Sequence, residues 1–508
     1  MGQPEAAPRV EQPTAVELPE LAQKAVVTAE GEPPTLQLFV AGEWRPAASG
    51  ETFEVRSPID DNQIAVAQAA DQEDVEAAID AALNARAGFR EMAAAERIEI
   101  CERAAAAMSE HFDGFVETIV VDLGKTPSQA KSEVTATRER LALVREEVRK
   151  IFGEYIPGDW IPDTKGKSGI VLREPVGTVA AIGPFNYPLF LTASKIIPAI
   201  AAGNTVVAKA PSDDPIALTW FVRALEEAGL PPGVLNLVTG RGSEIGDRFA
   251  THGDVSMISF TGSVKVGRRL AELAGPKPLH LELGGNAAAI VLSDADLELA
   301  VEKSVEGAFK NAGQRCDAVS RVLVEKAIYG DYLERAVDRA RGYTVGDPRA
   351  DGVDVGPLVS EGAVASVQEL VSDALQKGAR VLAGGGCEGC YHEPTVLADV
   401  SLESEIVWEE TFGPVLTVVA VPDLDAALEV ANRSRYGLDS CVFTSDLDKA
   451  WGAARALECG MVTINDAPAH GVGHFPFGGR KPDSGVGREG LGYSIDECTA
   501  LKTVVLPA

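Results

Sequence analysis

Residues 178–212 read TVAAIGPFNYPLFLTASKIIPAIAAGNTVVAKAPS. Two short runs of β-branched and small apolar residues, Thr178–Ile182 and Thr205–Ala208, flank a stretch as long as a crossover helix with its loops. The alternation continues through three more candidate strands: Val234–Val238, Val255–Phe260 and Leu279–Leu283. Strands connected in this way predict an α/β protein with a doubly wound parallel sheet.

Unusual residues follow each of these strands, where ligands bind in such sheets. The loops after the five strands begin as follows: Gly183–Pro188, Lys209–Ser212, Gly240–Gly242, Thr261–Ser263 and Gly284–Gly285. Gly240, Gly242 and Gly246 resemble a dinucleotide fingerprint, although the spacing is one residue too long and the motif follows the third strand. Thr261–Ser263 leads into a helical stretch at Val264–Ala274, which predicts a pyrophosphate site at a helix N-terminus or a simple N-cap.

The flanking sequence extends the α/β pattern in both directions. A second α/β stretch over about 286–470 has candidate strands at Ala288–Val291, Val322–Val324 and Val415–Val419. Upstream, Leu38–Val40 and the turn Gly42–Trp44 predict a hairpin. Apolar residues recur at helical spacing after Asp71, which is placed as an N-cap.

The charge balance excludes two classes of partner. The 508-residue chain has 76 acidic and 46 basic residues, a formal net charge of −30. Such a surface repels nucleic-acid phosphates and anionic lipid heads, so we expect neither nucleic acid nor membrane as a partner. The excess of acid also favours a high-salt environment, where screening weakens the self-repulsion.

Cysteine usage and the N-terminus indicate a cytoplasmic protein. The seven cysteines are odd in number and mostly far apart, which is not the pattern of a disulfide framework. Residues 1–35 lack the apolar core of a signal peptide and are predicted to be a flexible acidic tail.

Two cysteine motifs are candidate reactive or metal sites. Cys316 follows Arg315 and a glycine turn, which favours a thiol of lowered pKa, although a small buried hydrophobe is the alternative. Cys387, Cys390 and His392 supply only three ligands, with no second pair at zinc spacing. We therefore predict no metal site.

Taken together, the motifs resemble those of the aldehyde dehydrogenase superfamily, from about residue 36 to 508. The matching segments are Pro184–Pro188, Phe260–Ser263, Glu282–Gly285, Gly313–Cys316, Glu409–Pro414, Pro476–Gly479 and Ser484–Gly485. The resemblance implies a Rossmann-type cofactor domain over 36–156 and 176–285 and an α/β catalytic domain over 286–478. It also implies a β oligomerisation arm over 157–175 and 479–508, and hence a homodimer or homotetramer.

The resemblance is sharpest to the NADP-dependent non-phosphorylating glyceraldehyde-3-phosphate dehydrogenases. The segments that carry it are Thr239–Asp247, Gly313–Val324 and His474–Phe477. This subgroup oxidises its aldehyde to a free acid without phosphate uptake.

The family mechanism implies three catalytic residues. Cys316 would add to the aldehyde to give a thiohemiacetal, and the Asn186 amide with the Cys316 N–H would stabilise its oxyanion. After hydride transfer, Glu282 would activate water to hydrolyse the thioester. CoA-acylating relatives typically lack this glutamate, so its presence favours a free carboxylic acid as product.

Cofactor contacts also carry over from the family. Lys209 matches a contact to the adenosine ribose, and Ser263 matches a contact to the pyrophosphate. Glu410 matches a contact to the nicotinamide ribose, beside which Phe412 packs. Many NAD-preferring members have glutamate at the position of Ser212, so NADP is expected, with NAD possible. The remaining predicted cofactor residues are Pro184, Phe185, Gly242, Gly246, Gly262, Leu283 and Gly284. Lys195 matches a lysine near the active site.

Substrate residues match the subgroup only in part. Arg315 and Tyr187 match its phosphate cradle, whereas His470 and Ala136 stand where arginines are expected. Glyceraldehyde 3-phosphate, oxidised to 3-phosphoglycerate, is the leading substrate. A small unphosphorylated aldehyde such as lactaldehyde is the alternative, and a catalytically inactive structural relative is the remote one.

Overall fold

The computed structural model describes residues 14–29, 31–471 and 473–507. Its strands, in chain order, are β1 Val26–Val27, β2 Thr35–Leu36, β3 Leu38–Val40, β4 Glu43–Arg45, β5 Thr52–Arg56, β6 Gln63–Gln68, β7 Glu154–Pro157, β8 Lys167–Pro175, β9 Thr178–Ile182, β10 Thr205–Lys209, β11 Leu235–Val238, β12 Met257–Thr261, β13 Leu279–Glu282, β14 Ala287–Val291, β15 Val319–Glu325, β16 Arg380–Ala383, β17 Cys387–Glu388, β18 Tyr391–His392, β19 Thr395–Ala398, β20 Val415–Val421, β21 Asp439–Phe443, β22 Met461–Ile464, β23 Gly485–Val486 and β24 Thr499–Pro507.

The α-helices are α1 Gln72–Glu91, α2 Ala94–Glu110, α3 Phe112–Leu123, α4 Pro127–Glu147, α5 Phe190–Ala201, α6 Ile216–Glu227, α7 Gly242–Thr251, α8 Val264–Ala274, α9 Leu297–Phe309, α10 Tyr329–Arg341, α11 Glu361–Gln376, α12 Leu424–Arg433, α13 Leu447–Ala456 and α14 Leu491–Glu497. Asp71 caps α1, as predicted, by accepting from the N–H groups of Glu73 and Asp74. Within the described ranges, no helix combines the length and apolar character needed to cross a bilayer.

An eight-stranded sheet confirms the predicted doubly wound fold. Its strand order is β23-β13-β12-β9-β10-β11-β3-β4, and the five strands from β13 to β11 are parallel. Alternate residues of β9 face opposite sides: Val179 and Ala181 join one apolar cluster, and Ala180 and Ile182 join another. The chain runs outward from β9 through β10 to β11 and then returns to β12. The loops after β9 and β12 therefore diverge, which opens a crevice at this point of the sheet.

A second, seven-stranded sheet contains the other predicted strands. Its order is β16-β19-β20-β15-β14-β21-β22, and all neighbours are parallel except β16 with β19. The predicted hairpin near residue 40 is also present, because β3 pairs antiparallel with β4.

A three-stranded sheet shares no strand with these two. Its order is β24-β8-β7, and β24 pairs with β8 from Thr499 to Pro507. The rest of the predicted C-terminal arm lies elsewhere: β23 pairs with β13, and α14 packs against α5. The domain limits given above remain a prediction.

The N-terminal segment differs from the expected flexible tail over residues 14–29 and 31–35. A short 3₁₀ helix, Glu20–Lys24, buries Leu21 and Ala22, and β1 pairs with β2. These apolar side chains join the cluster beneath the large sheet, which offsets the cost of ordering an otherwise polar segment. The rest of the predicted tail, residues 1–13 and residue 30, lies outside the described residues.

Candidate active site

A cleft of about 740 Å³ opens at the crevice between the diverging loops. It is lined by Asn186 and Cys316 and by all but one of the predicted cofactor residues: Pro184, Phe185, Lys209, Ser212, Gly242, Gly246, Gly262, Ser263, Leu283, Glu410 and Phe412. The exception, Gly284, lies directly beside it, since a Cβ there would come 3.0 Å from Glu410 Oε2. The structure therefore brings together residues that are up to about 230 positions apart in the chain.

A strained turn places Cys316 in this cleft. After α9, Asn311, Ala312 and Gly313 all adopt left-handed backbone angles, with φ of 55°, 52° and 73°. A Cβ at Gly313 would lie 2.1 Å from the Gly413 carbonyl oxygen, so only glycine fits there. Left-handed non-glycine residues are costly, and they concentrate at functional sites.

The expected lowering of the Cys316 pKa is wrong. Burial and the neighbouring Asp317 carboxylate raise the pKa of this thiol well above its ordinary value. Arg315 does not counter this effect, because its guanidinium donates to Asp317 at 2.8 Å and to the Pro468 carbonyl at 3.0 Å. Cys316 is therefore held as a neutral thiol that must lose its proton before it can attack.

Glu282 ends strand β13 and is buried, and it is not among the residues that line the cleft. It is 3% exposed, and within the described residues neither carboxylate oxygen has a hydrogen-bond partner. Burial and the Glu489 carboxylate raise the pKa of Glu282 well above the usual range, whereas Lys195 acts in the opposite direction. A carboxyl group of raised pKa accepts a proton from water more readily than an exposed one does.

Asn186 is held by the turn that carries the cysteine. Its side-chain amide donates to the Gln314 carbonyl at 2.9 Å, and the Asn311 amide donates to the Asn186 carbonyl at 3.2 Å. An amide has two N–H donors, so a second one is left for a ligand.

A buried ion pair fixes the segment just beyond Asn186. Glu133 of α4 accepts from the backbone N–H groups of Leu189 and Phe190 at 3.1 and 3.0 Å, where α5 begins. Lys125 donates to the same carboxylate at 2.6 Å, and both side chains are fully buried. The start of α5, and with it the loop of Asn186, is thereby held to α4.

The far end of the cleft suits the adenosine part of a dinucleotide. Lys209 donates to Ser212 Oγ at 3.1 Å and to the Ala210 carbonyl at 2.9 Å, and Ser212 donates to the Gly240 carbonyl at 2.9 Å. Burial lowers the pKa of Lys209 to about 8. A phosphate group placed beside Lys209 would stabilise the ammonium charge that burial disfavours. This end of the cleft therefore suits an anion.

The middle of the cleft is shaped by backbone and glycine. Ser263 caps α8 by accepting from Val266 N–H at 3.4 Å, so the positive end of this helix faces the cleft. A Cβ at Gly262 would lie 2.5 Å from the Phe260 ring, whereas Gly242 and Gly246 have open space around them. The chain can therefore approach a pyrophosphate closely, and the residues present fit the cofactor.

Glu410 and Phe412 close the other end of the cleft, near Cys316. Glu410 accepts from Gly285 N–H at 3.1 Å, and burial raises its pKa to about 8. The Phe412 ring packs edge-on against Phe185, with 5.7 Å between the ring centroids.

The predicted substrate residues lie among compensating charges. His470 bonds to Asp439 at 3.0 Å, lies 3.9 Å from Asp317 and stacks on Phe477 at 3.7 Å. Burial lowers the His470 pKa, but Asp439 and Asp317 outweigh it, so the net shift is upward. Because Arg315 also pairs with Asp317, this side of the site holds two cationic groups and two carboxylates.

Tyr187 and two arginines of α4 each take part in a cation–ring contact. Tyr187 lies under Lys125, whose ammonium is 3.4 Å from the ring centroid, and burial raises the Tyr187 pKa. Arg138 lies over the ring of Phe112 at 5.7 Å. Arg140 is buried over the Phe190 ring at the same distance.

Several buried charged residues around the site were not predicted from the sequence: His280, Asp317, Asp439 and Glu489. For His280 a signal was available. In the run Leu279 to Glu282, polar and apolar residues alternate, which places His280 and Glu282 on one face of the strand. Asp439 begins an otherwise apolar run and could have been singled out for that reason.

The second cysteine motif lies on a small hairpin of its own. Strand β17, with Cys387, pairs with β18, and His392 bonds to Gln368 and to the Glu393 carbonyl. In the parts of the chain that the structure describes, no cluster of three or more His, Cys, Asp or Glu side chains is arranged to hold a metal.

The chain belongs to the aldehyde dehydrogenase family, whose sequence pattern it matches over residues 44–504. It is therefore an NAD(P)⁺-dependent enzyme that oxidises aldehydes. It is 39% identical to the NADP-dependent glyceraldehyde-3-phosphate dehydrogenase of Streptococcus equinus over 92% of this chain and 98% of that one. It is also 39% identical to the vanillin dehydrogenase of Corynebacterium glutamicum, over 91% and 95% of the two chains.

A solved structure is similar in fold as well as in sequence. The NADP-dependent glyceraldehyde-3-phosphate dehydrogenase of Bacillus halodurans C-125, complexed with NADP, superposes with a TM-score of 0.91 and is 37% identical. The match covers 93% of this chain and 99% of that one.

Proposed function

We propose that this enzyme oxidises an aldehyde to the free carboxylic acid with NADP⁺, through covalent attachment to Cys316. The observation that carries the proposal is the single cleft that Cys316, Asn186 and the cofactor-binding loops share. The Cys316 thiol first releases its proton to water in the open cleft, and the thiolate sulfur then adds to the carbonyl carbon. The oxyanion that forms accepts hydrogen bonds from the Asn186 amide and the Cys316 N–H. A nicotinamide bound in the cleft would accept the hydride, and loss of hydride from the adduct leaves a thioester on Cys316.

Glu282 then takes a proton from the attacking water. Its isolation from other donors supports this role, because an unpaired carboxylate keeps its lone pairs for the water. The thioester carbon gains the hydroxyl, and the Cys316 sulfur leaves with the bonding pair. The acid is released without phosphate or CoA.

The preference for NADP rests on Lys209 and Ser212. The Lys209 ammonium and the Ser212 hydroxyl lie 3.1 Å apart at the adenosine end of the cleft, so both can face a 2′-phosphate. A glutamate at residue 212 would repel that phosphate and accept from the ribose hydroxyls of NAD instead.

Ser212→Glu is therefore expected to lower kcat/KM for NADP by roughly 10- to 150-fold, the equivalent of a charged hydrogen bond of about 1.5–3 kcal/mol. Initial rates with NADP and NAD measure this change. Ser212→Ala is the matched control, since it removes the hydroxyl without adding charge and should have a smaller effect. If the ratio of kcat/KM for NADP to kcat/KM for NAD is the same in Ser212→Glu as in the wild type, the assigned 2′-phosphate site is rejected.

Glyceraldehyde 3-phosphate is the leading substrate. Its support is the similarity to the dehydrogenases of Streptococcus equinus and Bacillus halodurans, together with Arg315 and Tyr187 at the subgroup's positions. A protonated His470 would supply the second cation that a phosphate ester needs.

A small unphosphorylated hydroxyaldehyde is the second candidate. The observation in its favour is charge balance, because Asp317 and Asp439 already neutralise Arg315 and His470. A phosphate dianion gains little from cations that are paired, whereas neutral hydroxyl groups bind well to such a mixed set.

Arg315→Leu and a pH series separate these candidates. If the substrate is the phosphate ester, Arg315→Leu should raise the KM for glyceraldehyde 3-phosphate by roughly 10- to 150-fold. The KM for plain glyceraldehyde should rise far less. The His470 pKa is raised, so its positive charge persists to above its ordinary value of about 6.5 and is lost as pH rises further. The ratio of kcat/KM for the phosphorylated and plain aldehydes should therefore fall with rising pH above about 6.5. A flat ratio at every pH would promote the hydroxyaldehyde.

We also propose that the three-stranded sheet is an oligomerisation arm. Its support is a set of exposed apolar side chains: Tyr155, Trp160, Leu501 and Val505 are 69%, 86%, 64% and 60% exposed. Sedimentation in high salt is expected to show a dimer or tetramer, and a sharp monomer boundary would exclude both. A reducing, cytoplasmic location is supported by the seven cysteines, which are all free thiols.

A further inference from the structure

His280 lies two residues before Glu282, on the same face of strand β13. Its side chain is 3% exposed, and its Nδ1 contacts the Glu497 carboxylate of α14. Its Nε2 has no hydrogen-bond partner in the described part of the chain and lies 4.0 Å from both Glu282 Oε1 and Glu489 Oε1. One imidazole edge therefore faces the proposed base and the other faces a carboxylate.

A small cavity adjoins the same imidazole. Its volume is about 10 Å³, the space for one water molecule, and its polar lining includes Ser194, Lys195, His280, Glu489 and Ser494. Two of these hydroxyls and Glu489 Oε2 also have no partner among the described residues. A water held by these groups would bridge His280 to Glu489. Glu282 does not line this cavity, so the 4.0 Å between its Oε1 and His280 Nε2 must be closed by a small movement of the two side chains.

The neighbouring ion pair is unsuited to carrying a proton outward. Lys195 donates to Glu489 at 2.8 Å, and both side chains are at most 1% exposed. Burial raises the Glu489 pKa, but Lys195, Arg140 and His280 outweigh it and lower it to about 2, so this carboxylate stays ionised. By contrast, the Glu497 side chain is 28% exposed and is fixed by the Arg488 N–H, which donates to it at 2.8 Å.

We propose that His280 passes the proton that Glu282 takes from water to Glu497, and so to solvent. The inference rests on the proposed role of Glu282 as base. The proton leaves the Glu282 carboxyl for His280 Nε2, and the proton on Nδ1 leaves for a Glu497 oxygen. Exchange with solvent at Glu497 and a change of imidazole tautomer restore the starting state. His280 acts through Glu282 and touches neither substrate nor cofactor.

The test separates acylation from deacylation in the full-length enzyme. The substrate is glyceraldehyde 3-phosphate or plain glyceraldehyde, whichever has the higher kcat/KM. It is mixed rapidly with the enzyme and NADP⁺. The burst of reduced cofactor reports acylation, and intact-protein mass spectrometry follows loss of the Cys316 thioester. His280→Gln and Glu497→Gln should each slow thioester loss by on the order of 10-fold or more, and change the burst rate constant by less than about 2-fold. Added imidazole should speed thioester loss in His280→Gln.

Matched variants make each outcome decisive. Asp496→Asn removes the adjacent exposed carboxylate, which pairs with Arg173, and should deacylate at the wild-type rate. Thioester loss at the wild-type rate in both His280→Gln and Glu497→Gln would overturn the relay. An equal decrease in the burst and deacylation rate constants would also overturn it, because such a decrease indicates a structural role. If His280→Gln does not fold, the rate of thioester loss in Glu497→Gln tests the relay instead, because Glu497 is partly exposed. A Glu282→Gln variant without a burst would reject the proposed base itself, whatever the His280 variants show.

Discussion

Cys316→Ala should abolish aldehyde oxidation, with kcat lower by roughly 10⁴-fold or more, because Cys316 is the one thiol among the described residues that line the cleft. Cofactor binding should survive, since the contacts of Lys209, Ser212 and Glu410 do not pass through the sulfur. Absorbance of the reduced cofactor measures the first quantity, and quenching of protein fluorescence by added NADP measures the second.

The control is the double variant Cys387→Ser with Cys390→Ser. These residues lie on the β17–β18 hairpin, outside the cleft lining, so activity should stay close to wild type. If Cys316→Ala still oxidises aldehydes, or if the double variant loses activity, Cys316 is not the nucleophile.

Glu282→Gln should leave a burst of reduced cofactor and then slow steady turnover by about 10²- to 10⁴-fold, the usual contribution of a general base. The amide fills the same buried space but cannot take a proton from water. The acyl-enzyme should accumulate, which intact-protein mass spectrometry detects as added mass on Cys316.

Glu298→Gln serves as the matched control for this change. It removes a carboxylate that is 71% exposed and pairs, within the described ranges, with Arg335 at the surface, so it should alter neither phase. If Glu282→Gln slows the burst itself and no thioester accumulates, Glu282 acts before hydride transfer, and the assigned role fails. In that case Glu282 would serve as the proton acceptor for the Cys316 thiol, which needs one because its pKa is raised.

The parts of the fold that follow from local sequence were predictable. Strand β9 was predicted with its observed ends, and β10 and β14 to within a residue, because each is a compact apolar run bounded by glycine or polar residues. The loops after the strands marked the cleft for a general reason, since the carboxyl ends of parallel strands share one edge of the sheet.

The charge pairing around the substrate was not predictable in the same way. Arg315 was read from its neighbour in sequence as an activator of Cys316, yet its guanidinium turns to Asp317. The partner of His470 is Asp439, on a strand that packs beside the C-terminal loop only in the folded chain. Pairs of this kind depend on tertiary geometry, which the spacing of residues along one segment does not encode.

The C-terminal strand has a consequence at the level of the gene. Strand β24 forms one edge of the three-stranded sheet and pairs with β8 along its whole length. A premature stop codon just after Glu497 would leave every residue of the proposed site encoded, yet it would turn β8 into an exposed, unpaired edge beside an apolar face. Such edges recruit other chains, so the truncated product is expected in inclusion bodies when the gene is overexpressed.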